Sequence, residues 1–420
     1  VLLLLLVWWV SPKVAPKEKK SWPRHEVARI LGQDFRSSRY PASVDVPLPE
    51  IPEARPLKVA YTLDFELQGK MEQLFQSYKP DYGAFAAIDA ETGRVLSLVS
   101  FSRQPNDYGH LALQARFPAA SIFKIITAAA ALDSRLLQPD SVIPFDGGSH
   151  TLYRKNVNAT RFNRWTRYVT LEQAFAKSIN TVFGKVGLFH VGPGLLRDYA
   201  TRFGFNGTMD TDLPAESGRV LVPRDDDWGV AEVASGFTSE SMLSPLHGAL
   251  IGAAIANDGV LVAPYVVESM TDNAGLAVYQ GKANEGTRVL TLEGAAELRE
   301  LMQATVSDGT SRKSFRTLRG LRRIDELEVG GKTGSLTAIS EPRGKVDWFV
   351  GYARIPSSDP SRPEGTRIGI AALTVNVKHW TVKSSWLAGR FVELYHSRTP
   401  ARMKVVSGIA PAREPASGRR

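Results

Sequence analysis

The order of the secondary-structure signals is what most restricts the fold open to this chain. Two β-favouring runs, residues 83–89 and 94–100, are joined by Ala90-Glu91-Thr92-Gly93, a hairpin with Gly at a turn position. A long helix-rich stretch follows, with candidate helices over residues 119–132, 171–188, 245–257 and 292–306. Three strand candidates then come close together, at 328–336, 347–355 and 367–375. A last amphipathic helix over 382–395 presents Trp386, Leu387, Phe391 and Leu394. This order predicts an α+β fold in which five strands form one antiparallel sheet flanked by helices. The helical insert would pack beside it as an all-helical lobe, with a site in the cleft between them.

At 420 residues, 43% hydrophobic and 23% charged, the chain has the makeup of an ordinary globular protein. That excludes a mostly disordered, collagen-like or multi-span membrane chain, and there is ample surface to bury a core. With no cysteine, disulfide scaffolds, thiolate-zinc sites and cysteine nucleophiles are excluded too. A pI near 9.6 invites a polyanion-binding reading, and the position of the charge decides against it. Residues 1–24 and 398–420 carry the whole net charge of +9, so residues 25–397 sum to zero. Nucleic-acid binding by the body loses its main support. The most basic internal stretch holds Arg154, Lys155, Arg161, Arg164 and Arg167 among Tyr153, Phe162, Trp165 and Tyr168. It reads as a solvated loop with a few packing aromatics, or as a polymer-binding groove.

The flanks read differently from the body. Residues 1–10 are an unbroken apolar run ending in Trp8 and Trp9. As a helix they would span about 15 Å, half of a bilayer core of about 30 Å. We read residues 1–57 as the outer end of a truncated membrane anchor followed by an extended Pro-rich spacer, with eight prolines between residues 11 and 56. A signal-peptide remnant or a short buried segment are the competing readings of the first ten residues. Residues 58–398 form the body, and 399–420 read as a disordered basic tail.

Three short motifs carry the chemistry. Ser121-Ile122-Phe123-Lys124 is an S-x-x-K at the start of a helix, where positions i and i+3 share a face. A serine hydroxyl needs an adjacent base to act as nucleophile, and a lysine desolvated among Phe123, Ile125 and Ile126 can serve. Ser178-Ile179-Asn180 is an S-x-N, offering a hydroxyl for proton relay and an amide for a substrate carbonyl; a helix-end Ser and a turn Asn is the plain alternative. Lys332-Thr333-Gly334 is a K-T-G within a strand candidate, and Gly334 would let a ligand approach the backbone. A sheet-edge Lys that blunts aggregation is the plain alternative for Lys332.

The three motifs occur in order, each on the element its role requires, and this conjunction resembles the penicillin-binding protein transpeptidase domain. Further segments share the likeness: Tyr61-Thr62-Leu63-Asp64, the first hairpin, Ala176-Lys177 before the S-x-N, Ser244-Pro245-Leu246, Ala256-Asn257-Asp258-Gly259 and Asp347-Trp348-Phe349-Val350-Gly351-Tyr352.

The resemblance implies a D,D-transpeptidase that cross-links peptidoglycan stem peptides through an acyl-enzyme. Ser121 would be the nucleophile, Lys124 the base and Ser178 the proton relay, although the resemblance leaves open which Lys or Ser holds the proton at each step. Asn180 would bind the acyl side-chain amide, Lys332 and Thr333 the terminal carboxylate, and the backbone N–H groups of Ser121 and Ser335, just past Gly334, would form the oxyanion hole. It implies no metal and no cofactor, β-lactams as covalent inhibitors, cell-wall synthesis partners, and an inner-membrane protein with its body on the periplasmic side. The short N-terminal part implies a monofunctional enzyme of minimal architecture. Pro118-Ala119-Ala120 stands where many relatives have Pro-Gly-Ser, a change expected to be tolerated. A D,D-carboxypeptidase or endopeptidase, a β-lactamase and a β-lactam sensor are the alternatives. Against the lactamase, no E-x-x-L-N segment is found, and Glu172 and Glu216 read as a helix-start and a loop acid.

Overall fold

The computed structural model describes residues 21–48, 51–103, 108–316, 327–338, 343–356 and 365–406. Its main sheet is built from β1 (Tyr82–Asp89), β2 (Val95–Ser102), β3 (Glu328–Ala338), β4 (Gly344–Ile355) and β5 (Thr366–Asn376). Their order across the sheet is β3-β4-β5-β1-β2, with every neighbouring pair antiparallel. The expected α+β architecture is therefore present, and β3, which carries the K-T-G, is an edge strand. Gly93 in the first hairpin adopts φ +76°, a conformation glycine takes without a steric penalty.

The helices that frame the sheet and the site are α1 (Arg24–Arg36), α2 (Phe65–Tyr78), α3 (Lys124–Asp133), α4 (Leu171–Ala176), α5 (Asn180–Lys185), α6 (Pro245–Ala256), α7 (Leu292–Ser307) and α8 (Ser384–Val406). Alternation along β1 sends Phe85 and Ala87 to one face, where they join α2 and α8 through Met71, Phe75, Leu387 and Phe391. Ala84, Ala86 and Ile88 face the larger core with α3 and α6. All twelve residues of α6 are buried, which is why it has no polar face. It lies so close to the sheet that a Cβ on Gly252 would stand 2.0 Å from the Gly351 carbonyl oxygen, and one on Gly369 would stand 2.1 Å from that of Ala249.

The Pro-rich segment departs from its reading as an extended spacer. Its described part forms α1 and two strands, Ser43–Leu48 and Ile51–Tyr61, which join Val267–Thr271 and Ala277–Gln280 in a four-stranded sheet. Val27, Leu31 and Phe35, spaced four apart, are fully buried on the body. Its described prolines sit outside α1, and Pro47, Pro52 and Pro56 lie on strands, where they remove few needed donors. At the other end, the backbone of α8 continues to Val406, through the first residues of the expected tail. The apolar run 1–10 and residues 407–420 lie outside the described residues. Among the described residues, no helix is long and apolar enough to cross a membrane.

Candidate active site

Ser121 lies in a 3-10 turn, Ala120–Phe123, that leads directly into α3. This places Lys124 Nζ 2.8 Å from Ser121 Oγ, as the i, i+3 spacing predicts. Lys124 is fully buried, and its amine also donates to Asn180 Oδ1 at 2.8 Å and to the carbonyl oxygen of Ser235. Burial, reinforced by the nearby charge of Lys332, pushes the Lys124 amine well below the usual lysine range. No carboxylate contacts it among the described residues. A neutral amine has two N–H donors and one lone pair. Two of its three partners here are carbonyl oxygens that can only accept, so the lone pair is left for Ser121, the one partner with a proton to give.

The turn before Ser121 is held under backbone strain. Ala120 adopts φ +49°, in the left-handed region that costs an L-residue about 1 kcal/mol. Ala120 thus sits where glycine would be more comfortable. Trp348 Nε1 donates to the Pro118 carbonyl at 2.9 Å, and Ala119 N–H donates to that of Ser241 at 2.7 Å, so the turn is pinned from two sides. Below it, a Cβ on Gly236 would come within 2.0 Å of the Ala120 oxygen.

The S-x-N does not lie on one continuous helix. The expected helix over 171–188 is broken between α4 and α5, with Ser178 at φ +56°. Hydrogen bonds from Ser178 N–H to the Phe175 oxygen and from Ile179 N–H to the Ala174 oxygen close the end of α4. The break turns Ser178 and Asn180 toward the cleft. Asn180 is anchored at both ends, since its backbone N–H donates to the Ser149 oxygen at 2.8 Å and its Nδ2 to the His150 oxygen at 2.9 Å.

Lys332 arrives from β3. Its Nζ donates to Ser178 Oγ at 2.9 Å and to the Thr333 oxygen at 2.9 Å, which ties the sheet edge to the helical lobe. It is fully buried, so the reading of Lys332 as an exposed edge guard is set aside. Phe175 and Phe183, buried on either side of the break, stand behind the two amines, with ring centroids 5.5 Å from Lys332 Nζ and 5.7 Å from Lys124 Nζ. Thr333 points to the other face, where its hydroxyl meets that of Thr310 at 2.5 Å. A Cβ on Gly334 would press on Ile122 N and the Ala119 oxygen at 3.2 Å, so this glycine lets β3 lie against the Ser121 turn. Ser335 is exposed at the mouth, and its Oγ donates to Asp347 Oδ1 at 3.3 Å. The structure thus brings all eight expected residues to one cleft.

Four contributors escaped the sequence reading. A backbone carbonyl such as that of Ser235 leaves no mark on composition. Thr310 follows Asp308-Gly309, a turn signal that could have drawn attention to it. Phe175 and Phe183 read simply as core. Glu216 and Glu172 keep the ordinary roles expected of them: Glu216 accepts the N–H of Ala115 at 2.9 Å, and Glu172 lies in the first turn of α4.

Burial lowers Lys332 from 10.5 to about 7. Between those values the unfolded chain binds the proton that the folded chain has released, so stability rises with pH across that window. The tyrosines raised by burial titrate higher still and leave the lower part of the window to the lysines. Thermal unfolding of the wild type is expected at higher temperature near pH 9 than near pH 7, and Lys332→Met should flatten the rise. An unchanged slope in the variant would show that other groups govern it.

Comparison with known proteins agrees with this geometry. The family model described as penicillin binding protein transpeptidase domain matches residues 83–361. Penicillin-binding protein PbpB of Mycolicibacterium smegmatis is 27% identical over 332 residues, which cover 72% of this chain and 49% of that protein. Peptidoglycan D,D-transpeptidase PbpA of the same organism is 28% identical over 313 residues, covering 67% and 60%. The chain therefore spans about half to three-fifths of the length of these relatives. Penicillin-binding protein A of M. tuberculosis, solved as an imipenem acyl-enzyme complex, superposes with a TM-score of 0.62 at 23% identity over 88% of this chain and 84% of that one. The matched segment holds the edge strand β3, the Ser121 turn and the broken helix, and on it the chain belongs to the penicillin-binding protein transpeptidase domain family.

Proposed function

We propose that this chain is a serine D,D-transpeptidase that cross-links peptidoglycan stem peptides and is acylated by β-lactams. The observation that carries the reading is the buried Lys124 amine at 2.8 Å from Ser121 Oγ, with its other two partners fixed acceptors. In the first half-reaction the neutral amine takes the Ser121 proton as Oγ attacks the penultimate D-alanyl carbonyl. The backbone N–H groups of Ser121 and Ser335 receive the oxyanion. Collapse breaks the C–N bond, and the proton reaches the departing D-alanine amine through Ser178, whose hydroxyl is polarised by Lys332. In the second half-reaction an acceptor amine attacks the ester, Ser121 Oγ leaves, and the proton released by the amine returns to it.

Asn180 divides its work, with Oδ1 on Lys124 and the amide held toward the acyl side chain. Lys332, buried and bonded to Ser178, lends its charge to the terminal carboxylate from behind, while Thr333 and Thr310 offer hydroxyls at the surface. β-Lactams would enter as mimics of the D-alanyl-D-alanine terminus, and the solved relative with an imipenem acyl-enzyme supports that route. The same reading puts the body outside the cytoplasmic membrane, where the wall is built, with residues 1–10 as its anchor and wall-synthesis proteins as partners.

Transfer and hydrolysis are separated by the nucleophile that resolves the ester. Incubated with a D-alanyl-D-alanine donor and an amino acceptor, the protein is expected to release D-alanine and form the cross-linked product. Release of D-alanine with no product at saturating acceptor would make it a carboxypeptidase. Rapid continuing turnover of a chromogenic cephalosporin would make it a β-lactamase.

A further inference from the structure

The basic-aromatic segment noted in the sequence lies on the rim of the cleft. Between Asp146 and Glu172 the chain has five Lys or Arg residues and no acid, within a body whose charges sum to zero. The segment is fastened to the helix that carries Asn180. Its Ser149 and His150 oxygens hold Asn180, and the Ala159 oxygen accepts from Lys185 Nζ at 3.1 Å. Lys185 is five residues beyond Asn180, a rise of about 7.5 Å along a helix.

The rings of this segment are not packing residues. Trp165 is 72% exposed, and Tyr153, Phe162 and Tyr168 are each more than half exposed. The loop that presents them is ordered by its own bonds. Trp165 N–H donates to Asn163 Oδ1 at 2.8 Å, Asn163 N–H donates to Thr166 Oγ1 at 3.1 Å, and Phe162 meets Tyr168 edge-on at 6.4 Å. Arg164 lies over the Trp165 ring at 4.8 Å, and neither Arg161 nor Arg164 meets a carboxylate among the described residues. A solvated loop has no need to hold four rings in water with unpaired guanidinium groups beside them.

We propose that this rim binds the donor glycan strand, the polymer whose stem peptide occupies the cleft. The inference rests on the transpeptidase reading. Flat, exposed rings suit the apolar faces of sugar rings, and the unpaired arginines suit the carboxylates of neighbouring stem peptides. The position fits as well, because a strand whose acyl amide is held at Asn180 leaves the cleft past the helix on which this rim is fastened.

The test compares the wild type with the double variant Arg164→Ser, Trp165→Ala. Co-sedimentation with purified sacculi is measured after Ser121 has been blocked with penicillin, so that binding is read without turnover. The variant is expected to bind sacculi about tenfold more weakly or worse, and added salt should weaken the wild type more than the variant. The rate of acylation by free penicillin, which carries no glycan, should match in both and reports that the variant is folded. Equal sacculus binding by variant and wild type would overturn the inference, as would a wild type that does not bind sacculi. A variant that loses affinity only for phosphatidylglycerol vesicles would make the rim a membrane contact instead. Failure of penicillin to acylate the wild type would remove the transpeptidase reading itself, an outcome the sacculus assay cannot produce.

Discussion

Ser121→Ala is expected to abolish covalent labelling by a fluorescent penicillin and to lower D-alanine release by roughly six orders of magnitude. The substitution removes one half-buried hydroxyl and leaves the turn, the glycine contacts below it and the Trp348 bond in place. Thermal stability should therefore stay near that of the wild type, and a folded, unlabelled protein is the result to look for by gel fluorescence and melting. Labelling that persists at another residue would overturn the assignment of the nucleophile. Labelling lost together with the fold would show that the side chain matters to the turn, and Ser121→Cys, which keeps a nucleophilic atom of similar size, would then decide.

The second large effect is expected from Lys124→Met, which keeps the length of the side chain and removes the base. Loss of a positioned general base lowers acylation by about 100- to 10,000-fold. The two lysines also shape the pH profile. Lys124, held below its ordinary range, must be neutral to accept the Ser121 proton, so wild-type acylation falls as acid charges it. Lys332, at about 7, is most useful as a cation, so the rate also falls on the alkaline side once it discharges. A bell-shaped profile is the expected result for the wild type, measured as the second-order rate of β-lactam acylation. The residual rate of Lys124→Met should lack the acid limb. An acid limb kept intact in the variant would assign that proton to another group.

Both predictions depend on elements that could be found in the sequence to different degrees. The five strands and helices α6 and α7 are local patterns of apolar residues, and the structure places them within a few residues of where periodicity does. Ser121 and Lys124 were legible for a related reason, because helical spacing alone puts them side by side. The break at Ser178 was not. Apolar residues recur at helical spacing through Leu171, Phe175, Ile179, Val182 and Val186, and no Gly or Pro stands at the positive φ of Ser178. The strain is imposed by what surrounds it, namely the bonds to Ser149 and Lys332 and the turn after α7, whose Thr310 N–H caps the Ala176 oxygen.

Helix α1 was hidden for the opposite reason. Proline density outweighed a clear four-residue spacing of Val27, Leu31 and Phe35. The four-stranded sheet it accompanies pairs Ile51–Tyr61 with Val267–Thr271, a contact between distant parts of the chain that local preference cannot announce. At the site, the side chains were found and their partners were not. The backbone oxygens of Ser235, Ser149 and His150 do as much to hold Lys124 and Asn180 as any side chain, and the identities of those residues say nothing about it.

The hydrogen bond from Lys332 to Ser178 joins the two walls of the cleft. Its two ends are 154 positions apart in sequence, so a change on either wall bears on the other. If the transpeptidase reading holds, drug and substrate would meet this same interior, and a mutation that loosened it against one would loosen it against the other. On the transpeptidase reading, the room for β-lactam resistance would lie at the mouth, around Ser335 and the Tyr153–Tyr168 rim, where a bulky drug side chain and a sugar strand make different demands.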